Sequence, residues 1–111
     1  MCGILAVIGS QFPPKLIESK LKLMSHRGPD YSSSKQFDNI YLGHNRLAII
    51  DLKPRSNQPF TKGEYTITYN GEIYNYIEIK ARLINKGYEF RSDTDTEVVL
   101  AAYLEYGEDC F

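Results

Sequence analysis

Ile4 to Ile8 is an unbroken apolar run that begins almost at the chain start and is stopped by Gly9. A stretch this short, ended by glycine, reads as a strand over Cys2 to Ile8, and a strand apolar on both faces belongs at the centre of a sheet. It falls far short of the ~20 apolar residues that cross a membrane. No basic stretch precedes it, so it does not read as a signal peptide either. Around that strand, 111 residues make one domain at most. A hydrophobic share of 42% against 24% charged residues is that of an ordinary globular chain. The 13 basic and 14 acidic residues leave a net charge of −1, which gives no footprint for nucleic acid or an anionic membrane. The 2 cysteines, Cys2 and Cys110, sit near opposite ends and are expected as free thiols in a cytoplasmic protein.

The remaining elements follow from punctuation and period. Pro13 and Pro14 open a helix over Lys15 to Ser25 with Ile17, Leu21 and Met24 on one face. Gly28 and Pro29 forbid its continuation, and serines 32 to 34 read as loop. Asn39 to His44 alternates as a strand, Leu47 to Leu52 is a second short apolar run, and the prolines of Lys53 to Pro59 mark a loop. Tyr65, Ile67 and Tyr69 alternate with threonines in a strand ending at Asn70-Gly71. A helix is expected over Tyr74 to Lys86, with Ile77, Ala81 and Ile84 sharing one face and Gly87 as its cap. Tyr88 to Phe90 reads as a brief strand. Thr94-Asp95-Thr96-Glu97 fits a capping box opening a final helix that Gly107 ends. The order gives an α+β class, with helices packed on sheet faces and the pattern breaking off as though the domain were truncated.

Chemistry enters at Cys2. Once Met1 is removed, its thiol lies beside a free α-amine, whose ordinary pKa is about 7.7–8.0, so nucleophile and base come from one residue. The plain alternative is a small hydrophobe at the start of a buried strand. Asn70-Gly71 reads either as a tight turn or as an oxyanion hole, built from a side-chain amide and a backbone N–H at a strand end. Glu72-Ile73-Tyr74-Asn75 leads on to a helix, which argues against a hairpin. Arg46 could hold a carboxylate bidentately or make a surface ion pair. Asp95 could meet an ammonium group or simply favour a helix N-terminus, and Glu72 is equally open. His26 and His44 lack the spacing of a metal site and read as structural.

Taken together, these residues carry a resemblance. Met1-Cys2-Gly3-Ile4-Leu5 is similar to the start of the class II glutamine amidotransferases, the N-terminal-nucleophile group. His26-Arg27-Gly28-Pro29-Asp30, His44 to Asp51, Tyr69 to Asn75 and Ser92 to Leu100 resemble the asparagine synthetase branch, in order and over the whole chain. The resemblance implies two sheets sandwiched between helix layers (αββα), with residues 1–111 forming the N-terminal part of a glutaminase domain whose synthetase domain lies outside this sequence. It implies Cys2 as nucleophile and Asn70 with the Gly71 N–H as oxyanion donors. Arg46 would hold the glutamine carboxylate, Leu47, Ile49 and Ile50 would line the pocket, and Asp95 with Glu72 would meet the ammonium group. Glutamine is the implied substrate. No cofactor or metal is implied in this chain, ATP and magnesium belonging to the synthetase domain that amidates aspartate. That domain is the implied partner, and the whole protein admits a homodimer. Another class II amidotransferase (forming an amino sugar, phosphoribosylamine or glutamate) and an inactive remnant remain as alternatives.

Overall fold

The computed structural model describes residues 1–9 and 12–111. Strands β1 (Gly3–Ile8), β2 (Tyr31–Phe37) and β3 (Ile40–Arg46) form an antiparallel sheet in the order β1-β3-β2. Strands β4 (Phe60–Lys62) and β5 (Tyr65–Ile67) form a second, two-stranded antiparallel sheet. Helix α1 (Pro14–Leu23) packs on the first sheet through Ile17 and Leu21, which meet Tyr41, Leu5 and Val7. Helices α2 (Tyr76–Asn85) and α3 (Asp95–Tyr106) share a core of Leu83, Val98, Ala101 and Ala102. Tyr103 of α3 reaches the second sheet, its ring meeting that of Tyr65 edge-on at 5.6 Å between centroids. Among the described residues the fold is thus α+β, with two antiparallel sheets and three α-helices. Among the described residues, no helix is long and apolar enough to cross a membrane.

Several elements depart from the reading of the sequence. β1 is an edge strand rather than a central one. Its Leu5 and Val7 turn toward α1 while Ile4 and Ile8 are exposed, because the central place falls to β3. Serines 32 to 34 lie in β2, not in a loop, paired with Asn45, His44 and Gly43. Their hydroxyls tolerate the exposed edge of a sheet, so composition misled where pairing decided. β4 went unread because three residues show too little alternation, and its hairpin turns through Gly63 at φ 59°. Tyr88 to Phe90 is not a strand.

Helix ends held up better than helix faces. Gly87 at φ 96° and Gly107 at φ 61° close α2 and α3 from a left-handed conformation, as glycine allows. The capping box does not form. Thr94 is the N-cap residue without a side-chain cap, and Glu97 instead accepts from the backbone N–H groups of Arg91 and Ser92, the Ser92 hydroxyl and Lys62. The buried stripe of α2 is Tyr76, Ile79 and Leu83, whereas Ile77 and Ile84 are 64% and 52% exposed. Period 3.6 admits either stripe, and the position of α3 selects one. Leu83→Ala should therefore lower unfolding free energy by about 2–5 kcal/mol. Ile77→Ala should stay within about 0.5 kcal/mol. Urea unfolding of both variants checks the assignment, and equal losses would return the core to the stripe expected from sequence.

Candidate active site

Register is what carries Cys2 to its place. β1 pairs Gly3 with Asn45, so the residue before Gly3 arrives beside the end of β3. There the Leu47 N–H donates to the Cys2 Sγ at 3.3 Å. The Arg27 Nε–H donates to the Cys2 carbonyl at 3.1 Å, fixing the backbone of the nucleophile candidate from the other side. The His-Arg-Gly-Pro-Asp run thereby gains a physical meaning that its composition did not reveal. Gly28 presses on the β3 backbone so closely that a Cβ there would stand 2.3 Å from the Asn45 carbonyl oxygen. Asp30 accepts from the Ala48 N–H at 2.7 Å, and its own N–H donates to the Arg46 carbonyl at 3.0 Å. Arg27, Gly28 and Asp30 were missed as site-building residues because a glycine-proline break reads simply as a loop.

Arg46, at the end of β3, is 6% exposed. Its Nη1 donates to the Lys53 carbonyl and to Asn57 Oδ1 at 2.7 Å, and its Nη2 donates to the carbonyls of Ile50 and Asp51. A buried guanidinium thus organises the loop that follows it, satisfying carbonyls that no strand pairs. Among the described residues Arg46 makes no ion pair, so the alternative of a surface ion pair is not realised. A bidentate grip on a ligand carboxylate would require this loop to release η donors, whereas the Nε–H has no partner among the described residues.

Asp51 closes the same loop from outside. It sits at φ 47°, and its side chain, 2% exposed, accepts from Arg55 at 2.8 Å, the Asp93 N–H at 3.0 Å and the Lys53 N–H at 3.3 Å. Burial alone would push this carboxyl up, but the Asp93 N–H, with Ser56, Arg55 and Lys53, outweighs it and holds it far below the usual carboxylate range. The bond to Asp93 ties the Leu47–Leu52 segment to the approach of α3.

On that approach Asp95, first residue of α3 and 7% exposed, accepts the Ile73 N–H at 3.1 Å. Burial pushes its carboxyl above the ordinary value, and the nearby charge of Glu72 adds to the effect. Tyr69 leads into Asn70-Gly71, which makes no hairpin. The Tyr69 N–H donates to Gln58 Oε1 at 2.6 Å, and the Tyr69 carbonyl lies 3.2 Å from His44 Nε2. The Tyr69 phenol folds under Gly71, where a Cβ would stand 2.5 Å from its hydroxyl. Burial lowers the pKa of His44, the Tyr69 carbonyl opposes that, and the charge of Arg46 lowers it further, so the imidazole is neutral at neutral pH.

These segments enclose a cavity of about 380 Å³, within the size range of small-molecule sites. Cys2, Arg46, Leu47, Ile49, Ile50, Asn70, Gly71, Glu72 and Asp95 all line it, so every residue nominated from the sequence is gathered in one place. His44, Gln58 and Tyr69 line it as well and were not nominated. An α+β scaffold that brings a chain-start cysteine, an Asn-Gly pair and a buried carboxylate to one cavity defines a class. The sequence profile of that class, the glutamine amidotransferase domain, matches residues 1–111, and the chain belongs to this family.

Among its curated relatives is an asparagine synthetase (glutamine-hydrolyzing) of Zea mays, 44% identical over 98% of this chain. A second, asparagine synthetase 1 of Arabidopsis thaliana, is 45% identical over 98% of the chain, and asparagine synthetase 1 of Bacillus subtilis is 38% identical over 98%. The chain spans 19% of the length of the Zea mays and Arabidopsis thaliana relatives, about a fifth.

The depressed Asp51 carboxyl has a consequence for stability. A carboxyl whose folded pKa lies below its unfolded value of about 3.9 stabilises the fold above that pH and loses this contribution as pH falls further. Asp51→Asn should therefore unfold more easily than the parent at pH 7, and the gap should narrow below about pH 4. Denaturant unfolding across that range checks it, and a gap independent of pH would remove the charge from the explanation.

Proposed function

We propose that this chain is the glutamine-hydrolysing part of an asparagine synthetase, with Cys2 as its nucleophile. The observation that carries the reading is the convergence just described, in which residues from separate segments line a single cavity. On this reading residues 1–111 form the N-terminal part of an amidotransferase domain. Met1 is 74% exposed and open to removal, which frees the Cys2 α-amine. The neutral amine takes the thiol proton, and the thiolate sulfur attacks the side-chain carbonyl carbon of glutamine. The C=O π pair moves onto oxygen, where the Asn70 amide and the Gly71 N–H receive it. As that pair returns, the C–N bond breaks, the amine hands its proton to the leaving nitrogen, and ammonia departs. Water then attacks the remaining thioester, releasing glutamate and restoring the thiol.

The ends of glutamine are held by opposite charges. Asp95, with the exposed Glu72 nearby, receives the α-ammonium. A carboxyl that burial makes reluctant to ionise is repaid by a cation placed against it. Arg46 receives the α-carboxylate through its Nε–H, and bidentately once the 50–53 loop gives way. Leu47, Ile49 and Ile50 border the aliphatic stem. Transfer of the ammonia to aspartate belongs to a further domain of the whole protein. There ATP and magnesium would supply carboxylate activation. Among the described residues, no group of three or more His, Cys, Asp or Glu side chains is placed to hold a metal ion. A thiol nucleophile fits the reducing cytoplasm.

Turnover tests the reading directly. The chain freed of Met1 should form glutamate and ammonia from glutamine, and a glutamine-like diazoketone should alkylate Cys2 once. Cys2→Ala should abolish both, and Asn70→Ala should slow hydrolysis by about 10²–10³-fold with little change in binding. Hydrolysis that persists without Cys2, or proceeds with Met1 in place, would sink the mechanism.

Asp95 gives a separate readout in the inactive Cys2→Ala background. Glutamine affinity should fall as pH drops through the Asp95 pKa, which lies above its ordinary 3.8, because the protonated carboxyl no longer attracts an ammonium. Asp95→Asn should weaken binding by about ten- to a hundredfold at neutral pH and flatten that acid limb. Calorimetric titration at several pH values measures both effects, and an unchanged profile would take the ammonium away from Asp95.

A further inference from the structure

β5 ends at Ile67, so past that point the backbone of Tyr69 has no strand partner among the described residues. Both of its polar groups are nevertheless held, each by a buried side chain. Gln58, 7% exposed, accepts the Tyr69 N–H at 2.6 Å. His44, 0% exposed, faces the Tyr69 carbonyl at 3.2 Å. A carbonyl can only accept, so the His44 hydrogen sits on Nε2. That leaves Nδ1 as a buried acceptor with no partner among the described residues. An apolar ring would fill the same volume without a stranded nitrogen, so packing alone does not account for histidine here.

The geometry of the peptide group gives the bond its reach. The Tyr69 carbonyl shares a rigid plane with the Asn70 N–H, and the Tyr69 N–H belongs to the plane before it. Holding both planes fixes φ and ψ of Tyr69, and with them the position from which the Asn70 side chain and the Gly71 N–H depart. Gln58 extends the same constraint, since its Nε2 donates to Thr96 Oγ1 at 3.2 Å, next to Asp95. One amide thus spans the Asn70 segment and the start of α3. Oxyanion donors act only within about 2.7–3.1 Å of the oxygen they stabilise, and a displacement of 1 Å costs about 10²-fold in rate.

We propose that His44 and Gln58 are positioning residues that set the Asn70 and Gly71 donors through the backbone of Tyr69. This rests on the glutaminase reading above, and the experiment separates the two. His44→Phe and Gln58→Met keep volume while removing the hydrogen bonds. Turnover is counted per Cys2 titrated with the glutamine-like diazoketone, so that poorly folded molecules drop out. Each variant should lose about ten- to a hundredfold in kcat with KM within about threefold, as expected when only transition-state contacts suffer. His44→Gln, which restores an N–H donor, should recover part of the loss. In Asn70→Ala only the Gly71 N–H is left to position, so adding either substitution should slow that variant by clearly less than the same substitution slows the parent. Parental kcat per titrated site, or losses that multiply with Asn70→Ala, would overturn the inference while leaving the glutaminase reading intact. A parent chain that does not hydrolyse glutamine would overturn both.

Discussion

Pairing of Gly3 with Asn45 in the β1–β3 ladder decides which side chains meet. A strand exposes alternate residues to opposite faces, so a slip of one residue would exchange them all. In the observed register, the β3 positions Tyr41, Gly43 and Asn45 share one face and Leu42, His44 and Arg46 the other. Tyr41 accordingly packs with Ile17 and Leu21 of α1, and Gly43 leaves room where a Cβ would meet Leu21 at 2.9 Å. His44 and Arg46 line the cavity instead. The same ladder brings Cys2 to Leu47. Site and core are therefore two faces of one strand, and neither can be moved without the other.

Beyond the strands, side chains take over the work of the ladder. The segment from Leu47 to Gln58 has no partner strand among the described residues, yet its carbonyls are collected by Arg46 and its amides by Asp30 and Asp51. Glu97, fully buried, does the same for Arg91 and Ser92 and also meets Lys62 at 2.9 Å. Burial would push this carboxyl up, but the bonds from Ser92, Lys62 and Arg91 bring it below its usual value. Buried charges of this kind give little net stability against an apolar alternative, but removing one partner strands the other. Their value here is positional. They hold irregular backbone where no strand ladder does.

What could be read in advance followed from local chemistry. Gly87 and Gly107 marked helix ends because only glycine enters the left-handed region without strain. The cavity residues were legible through motifs in which Cys2, Arg46, Asn70 and Asp95 each had a chemical reason to stand. Where several locally acceptable answers existed, the reading failed. Ile77, Ala81 and Ile84 form as good a stripe as Tyr76, Ile79 and Leu83 until α3 is in place. Glu97 satisfied the pattern of a capping box, yet the Arg91 and Ser92 N–H groups competed for it and won.

The sequence by itself determined the family, the α+β class and the nominated residues that line the cavity, since these rest on residue type and on short-range order along the chain. Only the tertiary structure decided that β1 lies at an edge, that serines 32 to 34 pair with β3, and that His44 and Gln58 converge on Tyr69. Those facts depend on contacts between segments distant in the chain. A histidine or glutamine has no chemical signature of its own until a backbone carbonyl or N–H is brought within about 3 Å of it.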